Sequence, residues 1–338
     1  MPERAELIAT FMAAHGWGTA ERGPLADDAS FRRYDRLQLG TRRAVLMDAP
    51  PPQEDVRPFI MVGELLRDLG YSAPEILARD VEHGLLLLED LGDDTYTKIL
   101  ADGGDEQALY ALAVDVLIDL HSRGKRDTVP SALPRYDEQR LLEEALLLTD
   151  WYIPAVLGKK TSSAIRNAYI DAWREVLRPV IAAQPTLVLR DYHVDNLIWL
   201  PERDGVEACG LLDFQDAVAG HPAYDLMSLL EDARRDIDPD LFEEMMARYT
   251  NAFPGLSTRF QTDFRILAAQ RHAKVIGIFT RLCVRDAKPD YLVHIPRVWR
   301  LLERALSEPE LAPLAKWMET NLPIEARNVP SSEAKVEN

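Results

Sequence analysis

The chain has 338 residues, a length that predicts a large core and two domains or lobes, and its 47% hydrophobic and 28% charged residues are ordinary for a soluble globular protein. Its formal net charge of −17 argues against nucleic acid and anionic membrane as partners, because both attract basic surfaces. The longest aliphatic run, Leu85–Leu88, is far shorter than the ~18 apolar residues of a membrane span, and the N-terminus has no apolar signal core. A cytoplasmic protein is therefore expected, with Cys209 and Cys283 as buried apolar residues.

The first ninety residues predict antiparallel strands with one inserted helix. Apolar residues at helical spacing predict a helix over 4–16, and the residues of "GPLADDAS" predict a turn over 23–30. The alternating segments "FRRYDRLQL" and "RRAVLMDAP" predict a hairpin that turns at Gly40 and Thr41. A helix is predicted over 56–70, followed by strands in "PEILARD" and "HGLLLLEDLGDD". We therefore expect a small β-rich lobe.

From Thr95 onward the apolar periodicity is mainly helical, except for the β segment 186–213. We expect an α+β, bilobal fold in which residues 1–92 form the small lobe, 93–325 a larger helical lobe and 326–338 a disordered tail. A monomer or weak dimer is expected. The predicted helices span 105–122, 137–150, 161–183, 222–235, 239–252, 257–283 and 290–306.

Charged and polar residues interrupt an apolar run in "LVLRDYHVDNLIWL", where burial of unpaired charge would be costly. The segments "NLIWL" and "VEACGLLDF" that follow are separated by "PERDG", so they predict a β-hairpin over 196–214 with Gly205 in its turn. The first strand of a hairpin begins beside the end of the second, which brings Asn196 next to Asp213. Asp191 lies five residues before Asn196, in the loop expected at the same end.

Two carboxylates and an amide oxygen that converge will repel one another unless a cation lies between them. Hard oxygen ligands favour Mg²⁺, which binds one or two protein groups together with substrate phosphates. A remaining carboxylate can then orient a hydroxyl and accept its proton, as phosphoryl transfer requires. A transition-metal site from His193 and Asp195 with His121 or His221 is the weaker alternative, because the sequence has no tight ligand cluster.

The sequence Arg190-Asp191-x-x-x-x-Asn196, followed by "DFQ" at 213–215, resembles the catalytic loop and metal-binding Asp of kinase-like folds. The segments "DYHVDN" and "GHPAYDL" resemble the aminoglycoside phosphotransferase and choline kinase-like family of small-molecule kinases. Within that family, "ASFRRY", "VLMDAPP" and "LRDYHVDNL" resemble the anomeric kinases of N-acetylmuramate and N-acetylglucosamine from cell-wall recycling. The resemblance extends from residue 5 to about residue 320.

The resemblance implies roles for residues of the catalytic loop. Asp191 would be the catalytic base, Asn196 and Asp213 the Mg²⁺ ligands, and Asp225 a structural anchor of the loop. The residues assigned to the substrate side are Arg190, His193, Asp195 and Asp216. For these the alternatives stay open: Arg190 in a structural ion pair, His193 bonded to backbone, and Asp216 a solvated loop carboxylate.

In the small lobe the resemblance implies an ATP site that departs from the family pattern. Kinases place a lysine on the third strand, where this sequence has Met47. Two alternatives stay open. Either a nearby arginine (Arg32, Arg33 or Arg43) substitutes for the lysine, with Glu64 placed to pair with that arginine, or phosphate binding relies on Mg²⁺ and backbone groups. Leu88–Leu91 would be the hinge that bonds adenine. The residues assigned to nucleotide binding are Ser30, Arg32, Arg33, Arg43, Glu64, Glu89 and Leu91.

The resemblance therefore implies an ATP- and Mg²⁺-dependent kinase that phosphorylates the anomeric hydroxyl of N-acetylmuramate, N-acetylglucosamine or both. Two alternatives remain: a kinase of the same fold that acts on an aminoglycoside or choline-like amine, and a nucleotide-binding pseudokinase. The intact Asp191, Asn196 and Asp213 argue against the pseudokinase, and only Met47 favours it.

Overall fold

The computed structural model describes residues 3–27, 31–256, 258–334 and 336, and the chain divides into two compact units. The first comprises 1–116 with 194–217, and the second comprises 117–193 with 218–338. The hairpin segment is thus grouped with the N-terminal residues. The predicted lobes, divided at residue 92, stay a prediction.

The first unit contains a five-stranded antiparallel sheet in the order β1-β2-β3-β5-β4, which confirms the predicted small sheet. Its strands are β1 (Glu21–Asp27), β2 (Arg33–Leu39), β3 (Arg42–Asp48), β4 (Ile76–Asp80) and β5 (Leu85–Leu88). The helices of this part are α1 (Arg4–Ala14), α2 (Arg57–Asp68), α3 (Tyr96–Ala101) and α4 (Glu106–Ser122), the last of which continues into the second unit.

The predicted turn over 23–30 is wrong for its first part, because β1 extends through Asp27. Gly23 and Pro24 pair with Arg36 and Asp35, and a register shift follows Pro24. Proline lacks the N–H that a central strand needs, but β1 lies at the edge of the sheet, where proline is tolerated. Residues 28–30 of the predicted turn lie outside the described residues.

One face of the sheet packs against α1 and the residues that follow it. Ile8, Phe11 and Trp17 are buried against alternate residues of the strands, including Leu37 and Leu46. Because side chains alternate along a strand, Met47 points to the opposite face. Met47 is itself buried, and its strand neighbours are Tyr34 and Leu86.

A short hairpin completes the first unit. Its strands are β7 (Leu197–Trp199) and β8 (Cys209–Leu211), joined through a 3₁₀ turn at Gly205–Ala208. Ser72 and Asp94 hold it from outside, since Leu211 N–H donates to Ser72 O and Trp199 N–H donates to Asp94 O. The hairpin predicted over 196–214 is confirmed, with Gly205 in the turn at a positive φ of 56°.

The second unit is mainly helical and contains one short strand pair, β6 (Thr186–Val188) with β9 (Val218–Gly220). Predicted helix 137–150 is interrupted, because an α-helix ends at Ala145 and a π-helical turn spans Leu148–Tyr152. The helices are α5 (Lys125–Thr128), α6 (Glu138–Ala145), α7 (Ile153–Leu157), α8 (Ser163–Ala182), α9 (Ala223–Leu230), α10 (Pro239–Ala252), α11 (Phe260–Asp286), α12 (Ile295–Leu306) and α13 (Ala312–Asn321).

Residues after 326 contact the helices of this unit as far as Ser332. The Tyr152 hydroxyl donates to Asn328 O at 2.7 Å, and Cys283 Sγ lies 3.7 Å from Ser332 O. Both cysteines are buried, as predicted, and neither forms a disulfide. Within the described ranges, no helix is long and apolar enough to cross a membrane.

Candidate active site

The hairpin brings Asn196 and Asp213 together, as its strand register predicts. Leu197 pairs with Leu211, so the residues just outside the ladder also meet, and Leu212 N–H donates to Asn196 O at 2.9 Å. The side chains follow the backbone, with Asn196 Nδ2 at 3.4 Å from Asp213 Oδ2. An amide and a carboxylate therefore lie side by side at the open end of the hairpin.

Asp213 adopts a backbone conformation that residues other than glycine seldom take, with φ of 56°. Its Oδ1 accepts a hydrogen bond from Gln215 Nε2 at 2.6 Å. Arg32 Nη2 lies 3.5 Å from the same oxygen, and the Arg32 side chain is only 11% exposed. The carboxylate thus has a buried cation and an amide donor on its Oδ1 side, while Oδ2 faces Asn196.

The side-chain oxygens of Asn196 and Asp213 are of the kind that binds a hard cation. A carboxylate and an amide, each with an oxygen to offer, match Mg²⁺, which usually keeps several waters and takes its other ligands from substrate phosphates. Among the residues that the structure describes, no group of three or more His, Cys, Asp and Glu side chains is placed to hold a metal ion. The alternative transition-metal site built on His193 and Asp195 is therefore not found in the described part of the chain.

Asp191, in the second unit, lies among cations. Its carboxylate is 30% exposed, and Arg271 Nη2 lies 3.3 Å from Oδ1. Burial raises the pKa of Asp191, but Arg271, Lys274 and Arg190 outweigh burial and hold this pKa well below its usual range. Asp191 is therefore ionised at neutral pH and can accept a hydrogen bond from a hydroxyl.

The backbone that carries Asp191 is anchored by Asp225, as the family resemblance implies. The buried Asp225 carboxylate accepts N–H bonds from Leu189 at 2.7 Å and from Arg190 at 2.9 Å. Burial raises the pKa of Asp225 to about 7, although the two N–H donors act in the opposite direction. Arg190 needs such an anchor because its φ of 71° lies in the left-handed region.

Arg190 forms a structural ion pair with Glu144, the alternative that the sequence left open. Glu144 also receives Lys274 Nζ and Gln270 Nε2, both at 3.2 Å, and the Tyr136 hydroxyl. Burial raises the pKa of Glu144, but Lys274 and Arg190 outweigh burial and lower it. One buried carboxylate thus balances two cations next to the loop.

The other loop residues differ in their surroundings. His193 is buried, and burial lowers its pKa, so its imidazole is neutral at pH 7. Asp195 accepts a hydrogen bond from the Thr97 hydroxyl, whereas Asp216 is exposed. Their assignment to the substrate stays a prediction.

Arg32 is the arginine that the structure places beside Asp213, and two other candidate arginines lie elsewhere. Arg33 is exposed on β2, and Arg43 Nε donates to Gln38 Oε1 at 3.0 Å. Glu64 was expected to pair with the arginine that replaces the strand lysine. Instead it binds Arg79 at 2.8 Å, because Arg79 on β4 faces the exposed side of α2. Ser30 lies outside the described residues.

The predicted hinge is tied into the first unit. Glu89 N–H donates to Glu75 O at 2.8 Å, and its carboxylate binds Arg203 at 2.5 Å. Leu91 lies against the hairpin, because a Cβ on Gly210 would lie 3.2 Å from Leu91 Cδ1. The adenine contacts assigned to this segment stay a prediction.

Sequence reasoning missed Glu144, Arg271 and Lys274. In "AAQRHAK" the polar residues Gln270, Arg271, His272 and Lys274 of α11 are all buried. A signal was available, because a run of polar residues inside a long helix of mainly apolar segments indicates an internal polar network.

Solved structures of a similar fold match nearly the whole chain. A choline/ethanolamine kinase family protein from Mesorhizobium loti matches with a TM-score of 0.62 at 14% identity, covering 94% of this chain and 99% of that chain. The ADP-bound aminoglycoside phosphotransferase APH(2'')-Ib matches with a TM-score of 0.57 at 16% identity, covering 90% and 98%. The protein therefore has the kinase-like α+β fold predicted from its sequence.

The sequence comparisons identify the family. The chain belongs to the phosphotransferase enzyme family, whose sequence profile matches residues 21–259. An N-acetylmuramate/N-acetylglucosamine kinase of Caulobacter vibrioides is 36% identical, covering 96% of this chain and 98% of the relative. A protein of the same name from Pseudomonas aeruginosa is 40% identical, covering 90% of each. The predicted family membership is confirmed.

Proposed function

We propose that the protein is a Mg²⁺- and ATP-dependent kinase that phosphorylates the anomeric hydroxyl of N-acetylmuramate, N-acetylglucosamine or both. Similarity to the Caulobacter and Pseudomonas kinases over nearly the whole chain supports the choice of acceptor. The observation that carries the chemistry is the Asn196–Asp213 pair, in which Asn196 follows the ionised Asp191 by five residues in the sequence. The product would be a sugar 1-phosphate formed in the cytoplasm.

In this proposal Asp191 accepts a hydrogen bond from the acceptor hydroxyl and directs its lone pair at the γ-phosphorus of ATP. The new bond joins the sugar oxygen to phosphorus, and the bond from phosphorus to the ADP oxygen breaks. The hydroxyl proton passes to Asp191 and then to solvent. The sugar hydroxyl becomes acidic only as the phosphorus–oxygen bond forms, so a carboxylate of low pKa such as Asp191 can accept its proton at that stage. Asp191 would therefore contribute more by orienting the hydroxyl than by its basicity.

Asn196 and Asp213 would hold Mg²⁺ through the amide and carboxylate oxygens. When bound, the ion neutralises charge on the phosphates. Arg32 is the residue best placed to do the work of the absent strand lysine, because it is a buried cation 3.5 Å from Asp213 Oδ1. A guanidinium can bind a phosphate with two parallel hydrogen bonds, so the replacement is chemically sufficient.

Turnover can be tested by the release of ADP from Mg-ATP, or of GDP from Mg-GTP, against N-acetylmuramate, N-acetylglucosamine, glucosamine, kanamycin and choline. We expect turnover with the acetamido sugars alone, with a product that ³¹P NMR identifies as a 1-phosphate. Asp191→Asn should lower kcat by about 10²–10⁴-fold, the usual contribution of a general base. The matched control is Asp204→Asn, an exposed carboxylate in the turn of the hairpin, which should be unaffected.

Two other outcomes would favour the alternative functions, an amine kinase or a pseudokinase. Turnover with kanamycin or choline alone would replace the sugar with an amine acceptor. Nucleotide binding without Asp191-dependent turnover on any acceptor would favour a pseudokinase.

A further inference from the structure

We propose that Arg271 is the positioning residue for the catalytic carboxylate, holding Asp191 and the strained backbone of Arg190 in the geometry that acceptor activation needs. This inference rests on the proposed role of Asp191 as the base. Arg271 belongs to α11, far along the chain from the catalytic loop, and the sequence motifs of the loop do not include it.

The Arg271 guanidinium bonds to several groups with separate nitrogens. Nη1 donates to Arg190 O at 3.0 Å and lies 3.3 Å from the Tyr224 hydroxyl. Nη2 lies 3.3 Å from Asp191 Oδ1. Arg271 therefore binds both the carboxylate of Asp191 and the backbone carbonyl of Arg190, the residue whose φ is 71°. A backbone in this sparsely populated region persists only when its surroundings hold it there.

Arg271 is itself held in place. Its guanidinium carbon lies 5.6 Å from the centre of the Tyr224 ring, and the Tyr224 hydroxyl lies 3.1 Å from that of Tyr136. Tyr136 in turn donates to Glu144, which also binds Lys274 one turn further along α11. The guanidinium of Arg271, which orients Asp191, is thus itself held in place by buried contacts with Tyr224 and the groups behind it, as precise positioning requires.

A lysine cannot do the same work, because the planar shape of the guanidinium fixes the directions of its hydrogen bonds. Guanidinium presents several N–H groups in a rigid plane, so one residue can bond two acceptors with fixed directions. An ammonium group is a point charge on a flexible stem. Arg271→Lys therefore keeps the charge near Asp191 while removing the fixed geometry, and Arg271→Met removes both.

The charged groups around Asp191 come from three parts of the unit. Arg271 and Lys274 face it from α11, Arg190 and His193 lie in its own loop, and Asp225 on α9 is the nearby carboxylate. The three cations lower the pKa of Asp191, so loss of Arg271 must raise this pKa toward its ordinary value. As the pH is lowered, activity that needs ionised Asp191 should then be lost at a higher pH in the variant than in the wild-type protein.

Two measurements test the proposal. The first is the pH profile of kcat/KM for Arg271→Met, Arg271→Lys and the control Arg285→Met, which removes an exposed arginine from the same helix. We expect a loss in kcat of about 10²-fold for Arg271→Met, the scale of a misplaced catalytic group, with the acid limb moved to higher pH. Arg271→Lys should keep the wild-type acid limb and still lose about 10-fold or more in kcat, whereas Arg285→Met should change neither.

The second measurement needs no substrate, so it separates this proposal from the proposed function. The carboxyl ¹³C signal of Asp191, assigned by its loss in Asp191→Asn, is titrated in wild type and Arg271→Met, with circular dichroism confirming that both are folded. A higher pKa in Arg271→Met supports the proposal even where none of the panel sugars is phosphorylated. The proposal is overturned if the two titrations coincide, or if Arg271→Lys has wild-type kcat.

Discussion

Replacing Glu144 with glutamine should destabilise the protein far more than an ordinary loss of a surface ion pair. The Glu144 side chain is 12% exposed and binds Arg190, whose side chain is equally buried, and Lys274, which is 7% exposed. Glutamine keeps the shape of glutamate but loses its charge, and its amide nitrogen offers donors where the surrounding groups also donate. The two cations would then remain buried without a carboxylate.

Breaking a buried ion pair by removing one partner costs about 3–5 kcal/mol, because the remaining charge stays in a poorly solvated place. The sign of the pH dependence follows from Glu144, whose pKa lies below its ordinary 4.5 in the folded protein. Such a carboxylate contributes stability that is present above pH 4.5 and lost as pH falls through the folded pKa. The difference between wild type and Glu144→Gln should therefore be full at pH 7 and shrink below pH 4.5.

The assay is urea unfolding of wild type and variant at pH 7 and again near pH 4. The matched control is Glu138→Gln, in the same helix, where Glu138 pairs with Arg174 at 3.2 Å on the surface and both side chains are about half exposed. An exposed pair of this kind contributes about 0–1 kcal/mol. If Glu144→Gln lost no more stability than Glu138→Gln, the idea that Glu144 balances buried charge would be refuted.

Three further changes test other parts of the structure. Met47→Lys should lower stability by about 3 kcal/mol or more without improving nucleotide binding, because the residue is buried beside Leu86 and burial of the new charge is costly. Met47→Leu is the control, and tighter nucleotide binding by Met47→Lys would contradict the expectation. Gly277→Ala should lower the unfolding midpoint, because the added Cβ would lie 2.3 Å from Leu147 C. Gly255→Ala is the control, since its Cβ would have no atom within 4 Å. Equal midpoints for the two variants would show that α11 and Leu147 are not in tight contact at Gly277. Arg32→Gln should raise KM for the nucleotide by about 10-fold, which is the contribution of one charge-assisted hydrogen bond. Arg33→Gln is the control and should change KM little, because Arg33 is exposed. Equal effects of the two changes would contradict the assignment of Arg32 to phosphate binding.

Local patterns predicted the parts of the site that one hairpin builds. Asn196 and Asp213 are 17 residues apart, yet the strand pairing of "NLIWL" with "ACGLLDF" brings their side chains together. β1 was missed because Gly23 and Pro24 favour turns, and only pairing with β2 overrides that preference. Local signals therefore succeeded where the neighbouring residues determine the structure.

The network around Asp191 depends instead on contacts that no local pattern contains. Glu144 on α6 meets Lys274 on α11, 130 residues later, and Arg271 reaches a loop 80 residues before it. A polar residue in a helix reads as solvated unless another element covers it, and the sequence does not show which helices pack together. The kinase motifs identify Asp191, but they do not reveal what holds it.

Backbone strain marks the places where this packing serves the chemistry. In the described part of the chain, three residues other than glycine have positive φ: Arg190, Asp213 and Ala287. Ala287 ends α11, a common place for this conformation, but Arg190 and Asp213 stand beside the proposed base and in the proposed metal site. Such strain costs ~1–3 kcal/mol at each residue and persists only where other contacts offset it. Asp225 and Arg271 hold the first, and the hairpin register holds the second, which is why stability and catalysis depend on the same buried groups.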